Sequence, residues 1–143
     1  MRIIGRKKEI IVTAGGKSVA PSVLEDRVRA HRLVSHCIVV GDGRAYIAAV
    51  VTIDPAGFGF WAERQGKSGD IPRSTEDPDL RAEIQAAIDD ANRAVSQAES
   101  IRKFTVLPAD WTEESGHLTP SLKLKRNVVL HDFRRDITAL YAQ

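Results

Sequence analysis

No disulfide can form within this chain, because Cys37 is the single cysteine in 143 residues. It sits in the apolar stretch Cys37-Ile38-Val39-Val40, where a thiol serves as a small hydrophobe rather than a nucleophile. Aromatic residues make up only 6%, and none interleaves with the basic clusters Arg6-Lys7-Lys8 or Lys123, Lys125 and Arg126. A nucleic-acid surface built on stacking therefore lacks its parts. Charge of one sign is also scarce. Lysine and arginine total 21 against 19 acidic residues, a net charge of +2, so no global basic field exists to hold a polyanion. No apolar run approaches the ~20 residues that span a bilayer, and Met1 leads into Arg2-Ile3-Ile4-Gly5-Arg6 without the apolar core of a signal peptide. A cytoplasmic chain is expected. Internal repeats and low-complexity blocks are missing too, and the length suits one compact domain.

What is present alternates between hairpins and helices. Glu9 to Thr13 and Ser18 to Ala20, joined by Ala14-Gly15-Gly16-Lys17, read as a small hairpin about a glycine turn. Pro21 suits the first turn of a helix running to about His31, with Val23, Leu24, Val28 and Leu33 at helical spacing and Glu25 and Asp26 near its positive end. Val34–Val40 and Ala45–Ile53 flank Gly41-Asp42-Gly43-Arg44, the clearest hairpin signal in the chain. Asp54-Pro55 starts a helix that carries Phe58, Trp61 and Ala62, with Trp61 read as core. Gln65 to Pro78 is turn-rich and reads as a flexible surface loop. Leu80, Ile84, Ile88, Ala91, Val95 and Ala98 form an amphipathic stripe. Ile101 to Leu107 supplies a third main strand, Ala109 to Gly116 is polar turn material, and a last helix is expected from about Lys125 to Tyr141. The fold class is α+β: a small two-stranded hairpin, then a mainly antiparallel three-stranded sheet packed with helices.

Independent catalytic machinery is hard to find. Gly15-Gly16-Lys17-Ser18 resembles the end of a phosphate-binding loop, yet Ile11 stands where that motif needs its first glycine, and a strand-to-strand turn aims no helix dipole. His31, His36, His117 and His131 show no metal-ligand spacing, and a second sulfur is lacking, so no metal site is expected. No Gly-x-Ser-x-Gly elbow occurs. The remaining feature is Leu118-Thr119-Pro120-Ser121-Leu122-Lys123-Leu124-Lys125-Arg126, which sets lysine in a proline-started loop just before the closing helix.

Gly5-Arg6-Lys7-Lys8-Glu9-Ile10-Ile11, the glycine turn, Val19-Ala20-Pro21 and Leu24-Glu25 together resemble the start of the C-terminal domain of the AMP-forming acyl-CoA synthetases, in the adenylate-forming superfamily. Thr119 to Arg126 resembles that family's Thr-Pro-Ser-Gly-Lys-x-x-Arg signature. The signature needs arginine three residues after its lysine. Lys123 has Arg126 there, whereas Lys125 would have Val128, so Lys123 is the match. Leu122 in place of the usual glycine, with Lys8 at the hinge position, resembles the long-chain fatty acyl-CoA synthetase branch.

The resemblance covers essentially the whole chain and implies a division of labour. Residues 1–8 would be the remnant of an interdomain linker and hinge, residues 9–143 the C-terminal domain, and the large N-terminal adenylation domain would lie outside them and be its partner. Lys123 would be the catalytic lysine of adenylation, Lys8 the hinge, Arg6 a contact to the nucleotide ribose, and Ala14, Gly15 and Gly16 the turn that faces coenzyme A during thioester formation. ATP, coenzyme A and magnesium would serve the whole enzyme, a fatty acid would be its substrate, and the chain alone would bind none of them and be inactive. Two other readings stay open at this stage. One is a free-standing module that docks on a partner. The other is a small basic nucleic-acid-binding domain, which the resemblance argues against; the resemblance leaves the parent enzyme cytoplasmic or peripheral at a membrane.

Overall fold

The computed structural model describes residues 10–67, 70–96, 99–108, 110–121 and 123–141. The described residues open with a two-stranded antiparallel hairpin, β1 (Ile11–Val12) and β2 (Ser18–Val19), followed by α1 (Pro21–Arg29). A second, larger hairpin follows, β3 (Val34–Val40) and β4 (Ile47–Ile53). Next come α2 (Pro55–Gln65), the short α3 (Ile71–Ser74) and α4 (Pro78–Asn92), and then β5 (Ile101–Val106). Two short helices, α5 (Arg126–Asp132) and α6 (Arg134–Leu140), follow the signature loop. Among the described residues no helix is long and apolar enough to cross a membrane.

The main sheet has the order β3-β4-β5, with β4 in the centre. β3 and β4 are antiparallel, as the tight glycine turn requires, whereas β4 and β5 are parallel, so the sheet is mixed. The parallel pairing follows from the connection, since α2, α3 and α4 form the long crossover that a parallel neighbour needs. Both faces of the sheet are covered, which explains why β4 is buried along its whole length. Alternate residues divide between two cores, as the strand period dictates. Cys37, Val39, Ala49 and Val51 pack under α1, α2 and α4. Ile38, Val40, Ala48 and Val50 pack against Trp111, Val129, Ile137 and Leu140 on the other side.

Local chemistry sets the starts of α2 and α4. Pro55 and Pro78 occupy first-turn positions; Asp54 caps α2 by accepting from the Gly57 N–H at 2.9 Å, and Asp77 caps α4 by accepting from Asp79 at 2.8 Å and Leu80 at 3.3 Å.

Four expectations change. Val23 lies outside the apolar face of α1, 45% exposed. The turn-rich stretch before α4 contains α3, buries Ser74, and is stapled by Lys67 pairing with Asp77 at 3.3 Å and Asp79 at 2.7 Å. α4 stops at Asn92, whose side chain ties the helix end to β5 by donating to the Ile101 carbonyl at 3.1 Å and accepting from its N–H at 2.8 Å; Ala98 lies outside the described residues. The last helix is two, broken at Phe133. The Phe133 ring packs on Trp111 and His117, with centroids 5.8 and 5.2 Å away, and the change of direction lets Val129, Ile137 and Leu140 all reach the sheet.

Candidate functional site

The segment carrying Lys123 leaves β5 and is tied down from its first residues. Asp110 accepts from the Ser35 hydroxyl at 2.7 Å, lies 3.2 Å from His36 Nδ1, and accepts from the Trp111 N–H at 2.8 Å. Partial burial pushes the Asp110 carboxyl up, but the hydrogen bonds from His36, Ser35, Thr52 and Trp111 outweigh it and hold the group below its ordinary value. Trp111 is buried at the centre of the second core. A compact turn follows, in which Thr112 and Ser115 exchange hydrogen bonds, and Gly116 takes the left-handed conformation at φ 88°.

The loop itself is a closed ribbon. Lys125 N–H donates to the His117 carbonyl at 2.8 Å, Leu118 bridges Leu124, and Thr119 N–H donates to the Lys123 carbonyl at 2.8 Å. The Thr119 hydroxyl also accepts from the Lys123 N–H at 3.0 Å, so the threonine holds the lysine backbone from both sides. Lys123 is exposed, and among the described residues its ammonium has no ion-pair partner. A fixed backbone thus carries an exposed cation.

Arg126, at the end of the loop, reaches into the body of the domain. Its Nη2 donates to both carboxylate oxygens of Glu25, at 2.7 and 2.8 Å, and Glu25 Oε2 also accepts the Val39 N–H at 2.8 Å. Glu25 is buried, not at a solvated helix end as its position in the sequence suggests. It satisfies an amide on the outer edge of β3 and a guanidinium at once, so a buried charge is both paired and hydrogen-bonded. This link joins the helix that follows the first hairpin to the loop that carries Lys123.

The first hairpin is held differently. Thr13 N–H donates to the Lys17 carbonyl at 3.0 Å and Gly16 N–H to the Thr13 carbonyl at 2.9 Å, closing the turn. Ala14 N–H donates to the Arg44 carbonyl and Gly43 N–H to the Val12 carbonyl, both at 2.8 Å, which grafts the hairpin on the turn between β3 and β4. Gly16 has φ 88°, and a Cβ added at Gly15 or Gly16 would meet nothing within 4 Å. Ala14, Gly15 and Gly16 therefore form an open, small-residue surface. Between this hairpin, Pro21 and Arg126 lies a cleft of about 440 Å³, with Val40, Arg44 and Tyr141 on its walls.

Of the expected site residues, the structure places Lys123 on the ribbon and Ala14, Gly15 and Gly16 on the open turn, while Arg6, Lys8 and Leu122 lie outside the described residues. Sequence reasoning missed the partners of three histidines: His31 with Glu83 at 3.2 Å, His36 with Asp110 at 3.2 Å, and His117 with Asp132 at 2.9 Å. Among the described residues no group of three metal-ligating side chains forms. Cys37 is buried, and that burial, reinforced by the nearby Glu25 charge, pushes its thiol up and keeps it unreactive.

Comparison with known proteins places this geometry. Residues 8–143 match the family model described as AMP-binding enzyme C-terminal domain. The long-chain-fatty-acid–CoA ligase FadD15 of Mycobacterium tuberculosis is 56% identical over 99% of this chain, which covers 24% of that protein. Long chain acyl-CoA synthetase 7, peroxisomal, of Arabidopsis thaliana is 33% identical over 100% of this chain and 21% of its own length. The chain thus spans at most a quarter of these relatives. Among solved structures, the adenylation domain of a carboxylate reductase from Mycobacterium chelonae superposes with a TM-score of 0.73 at 29% identity, over 94% of this chain and 19% of that one. With the family model matching all but the first seven residues, the chain belongs to the AMP-binding enzyme C-terminal domain family.

Proposed function

We propose that this chain is the mobile C-terminal domain of a long-chain fatty acid CoA ligase and that it serves the two half-reactions with two different surfaces. In the first, a fatty acid carboxylate attacks the α-phosphorus of ATP, the bond to the β-phosphate oxygen breaks, and pyrophosphate leaves. Lys123 would set its ammonium between the carboxylate and the α-phosphate, where a compact charge offsets the crowding of negative oxygens. In the second, the thiol of coenzyme A attacks the acyl carbonyl and AMP leaves. The Ala14-Gly15-Gly16 turn would then face the reacting centre and leave room for the thiol arm beside backbone. Lys8 would act as the hinge between the two states and Arg6 would contact the nucleotide ribose. Magnesium, also required by this reading, would be held by the N-terminal adenylation domain that partners this one, since the described residues offer it no set of ligands.

The observation that carries the reading is the fixed ribbon: a lysine backbone bonded on both sides, with an exposed ammonium that has no ion-pair partner among the described residues. The likeness to FadD15 over nearly the whole chain supports the substrate class. Lys123→Ala in the full-length ligase is expected to slow acyl-adenylate formation by about 10²–10³-fold, the typical loss of one electrostatic stabiliser. Unchanged adenylation would overturn the assignment.

A further inference from the structure

We propose that His117 is the positioning residue for Lys123, a role that rests on the reading of Lys123 as the adenylation lysine. His117 stands at the stem of the ribbon and spends every polar group it has there. Its carbonyl accepts the Lys125 N–H at 2.8 Å and its N–H donates to the Thr112 carbonyl at 3.2 Å. Its ring lies 2.9 Å through Nε2 from Asp132 on α5 and 2.7 Å through Nδ1 from the Ser115 hydroxyl. The ring is buried and packs against Phe133 and Trp111, with centroids 5.2 and 6.3 Å away. One side chain therefore ties the turn before the ribbon to the helix after it. From this stem the Leu118–Leu124 bridge and the two Thr119–Lys123 bonds continue without interruption to the lysine.

Ser115, His117 and Asp132 share the connectivity of a hydrolytic triad, but the serine is already committed. Its hydroxyl accepts from the Thr112 N–H at 3.0 Å and donates to the Thr112 carbonyl at 2.9 Å, closing a turn. A hydroxyl used on both sides by backbone is a strut rather than a nucleophile. Rigid support is what the exposed lysine lacks in its own side chain, because a long flexible stem is useful only from a fixed base.

The test uses the full-length ligase and follows the two half-reactions separately, with acyl-adenylate formation from fatty acid and ATP, and acyl-CoA formation from supplied acyl-adenylate. His117→Ala is expected to lower the adenylation rate by about tenfold to a hundredfold, the scale of a misplaced catalytic group. KM for ATP and the thioester rate stay unchanged, His117→Gln recovers most of the loss by keeping a donor to Asp132, and adding Lys123→Ala to His117→Ala costs less than it does alone. Equal loss in both half-reactions, or full adenylation in His117→Ala, would overturn the role. Should thermal unfolding show that His117→Ala does not fold, Asp132→Asn carries the test, and an unaltered adenylation rate in that variant refutes the proposal. Lys123→Ala distinguishes the failures: if it leaves adenylation intact, the underlying reading is at fault, whereas its loss beside a normal His117→Ala removes only the positioning role.

Discussion

The two regions to which the proposed chemistry is assigned are built on opposite principles. The glycine turn of the first hairpin has open space around Gly15 and Gly16 and hangs on the neighbouring turn by backbone hydrogen bonds. The Lys123 ribbon is fastened at its lead-in by Asp110, at its stem by His117 and at its end by the buried Glu25–Arg126 pair. Room is what the first region offers; a charge at a fixed place is what the second offers. Glu25 connects them, since α1 follows the hairpin directly and the same carboxylate receives the arginine of the ribbon.

The comparison breaks most visibly at Arg126. Arg126→Ala leaves Glu25 buried and short of its cation, and the loss of folding stability is expected to reach about 3–5 kcal/mol, read by urea denaturation. A loss of a few tenths would mean that the ribbon is not anchored there. On the hairpin side, a Cβ added at Gly16 would meet nothing within 4 Å, so Gly16→Ala carries mainly the backbone penalty at φ 88°. That penalty is about 1–2 kcal/mol, and a much larger destabilisation would show that the turn is packed rather than open.

The smallest effect concerns acid. The Asp110 carboxyl lies below its ordinary value of 3.8 in the fold, so its contribution to stability is present above that value and disappears as pH falls through the lower folded one. Asp110→Asn should flatten this part of the acid limb of an unfolding titration. In the parent chain, amide exchange at Trp111, whose N–H is bonded to Asp110, should rise in that window before exchange at Thr13 does. Simultaneous loss at both would erase the distinction between the two regions.

Much of this arrangement is legible in the residues. Asp54-Pro55 and Asp77-Pro78 announce their helices, and Gly41-Asp42-Gly43 announces the central hairpin, because caps and turns are local chemistry. The parallel pairing of β5 is not legible, since side-chain alternation carries no strand direction. The break at Phe133 is hidden by apolar spacing that continues across it. Glu25 is the instructive miss. It lies beside Leu24 and one turn before Val28, both fully buried, so its place on the inner face of α1 was a signal that a partner existed. The partner, Arg126, is remote in sequence, and only folding brings it there. Lys123 was singled out by resemblance, and the bonds that hold its backbone became visible only in the ribbon.

The central claim, that one domain serves two steps with two surfaces, is tested most directly by a crossed experiment in the full-length ligase. Lys123→Ala and Gly16→Val are each assayed for acyl-adenylate formation and for acyl-CoA formation from supplied acyl-adenylate. The account predicts that Lys123→Ala loses the first step and keeps the second, while Gly16→Val keeps the first and loses the second. Equal impairment of both steps in either variant would contradict it.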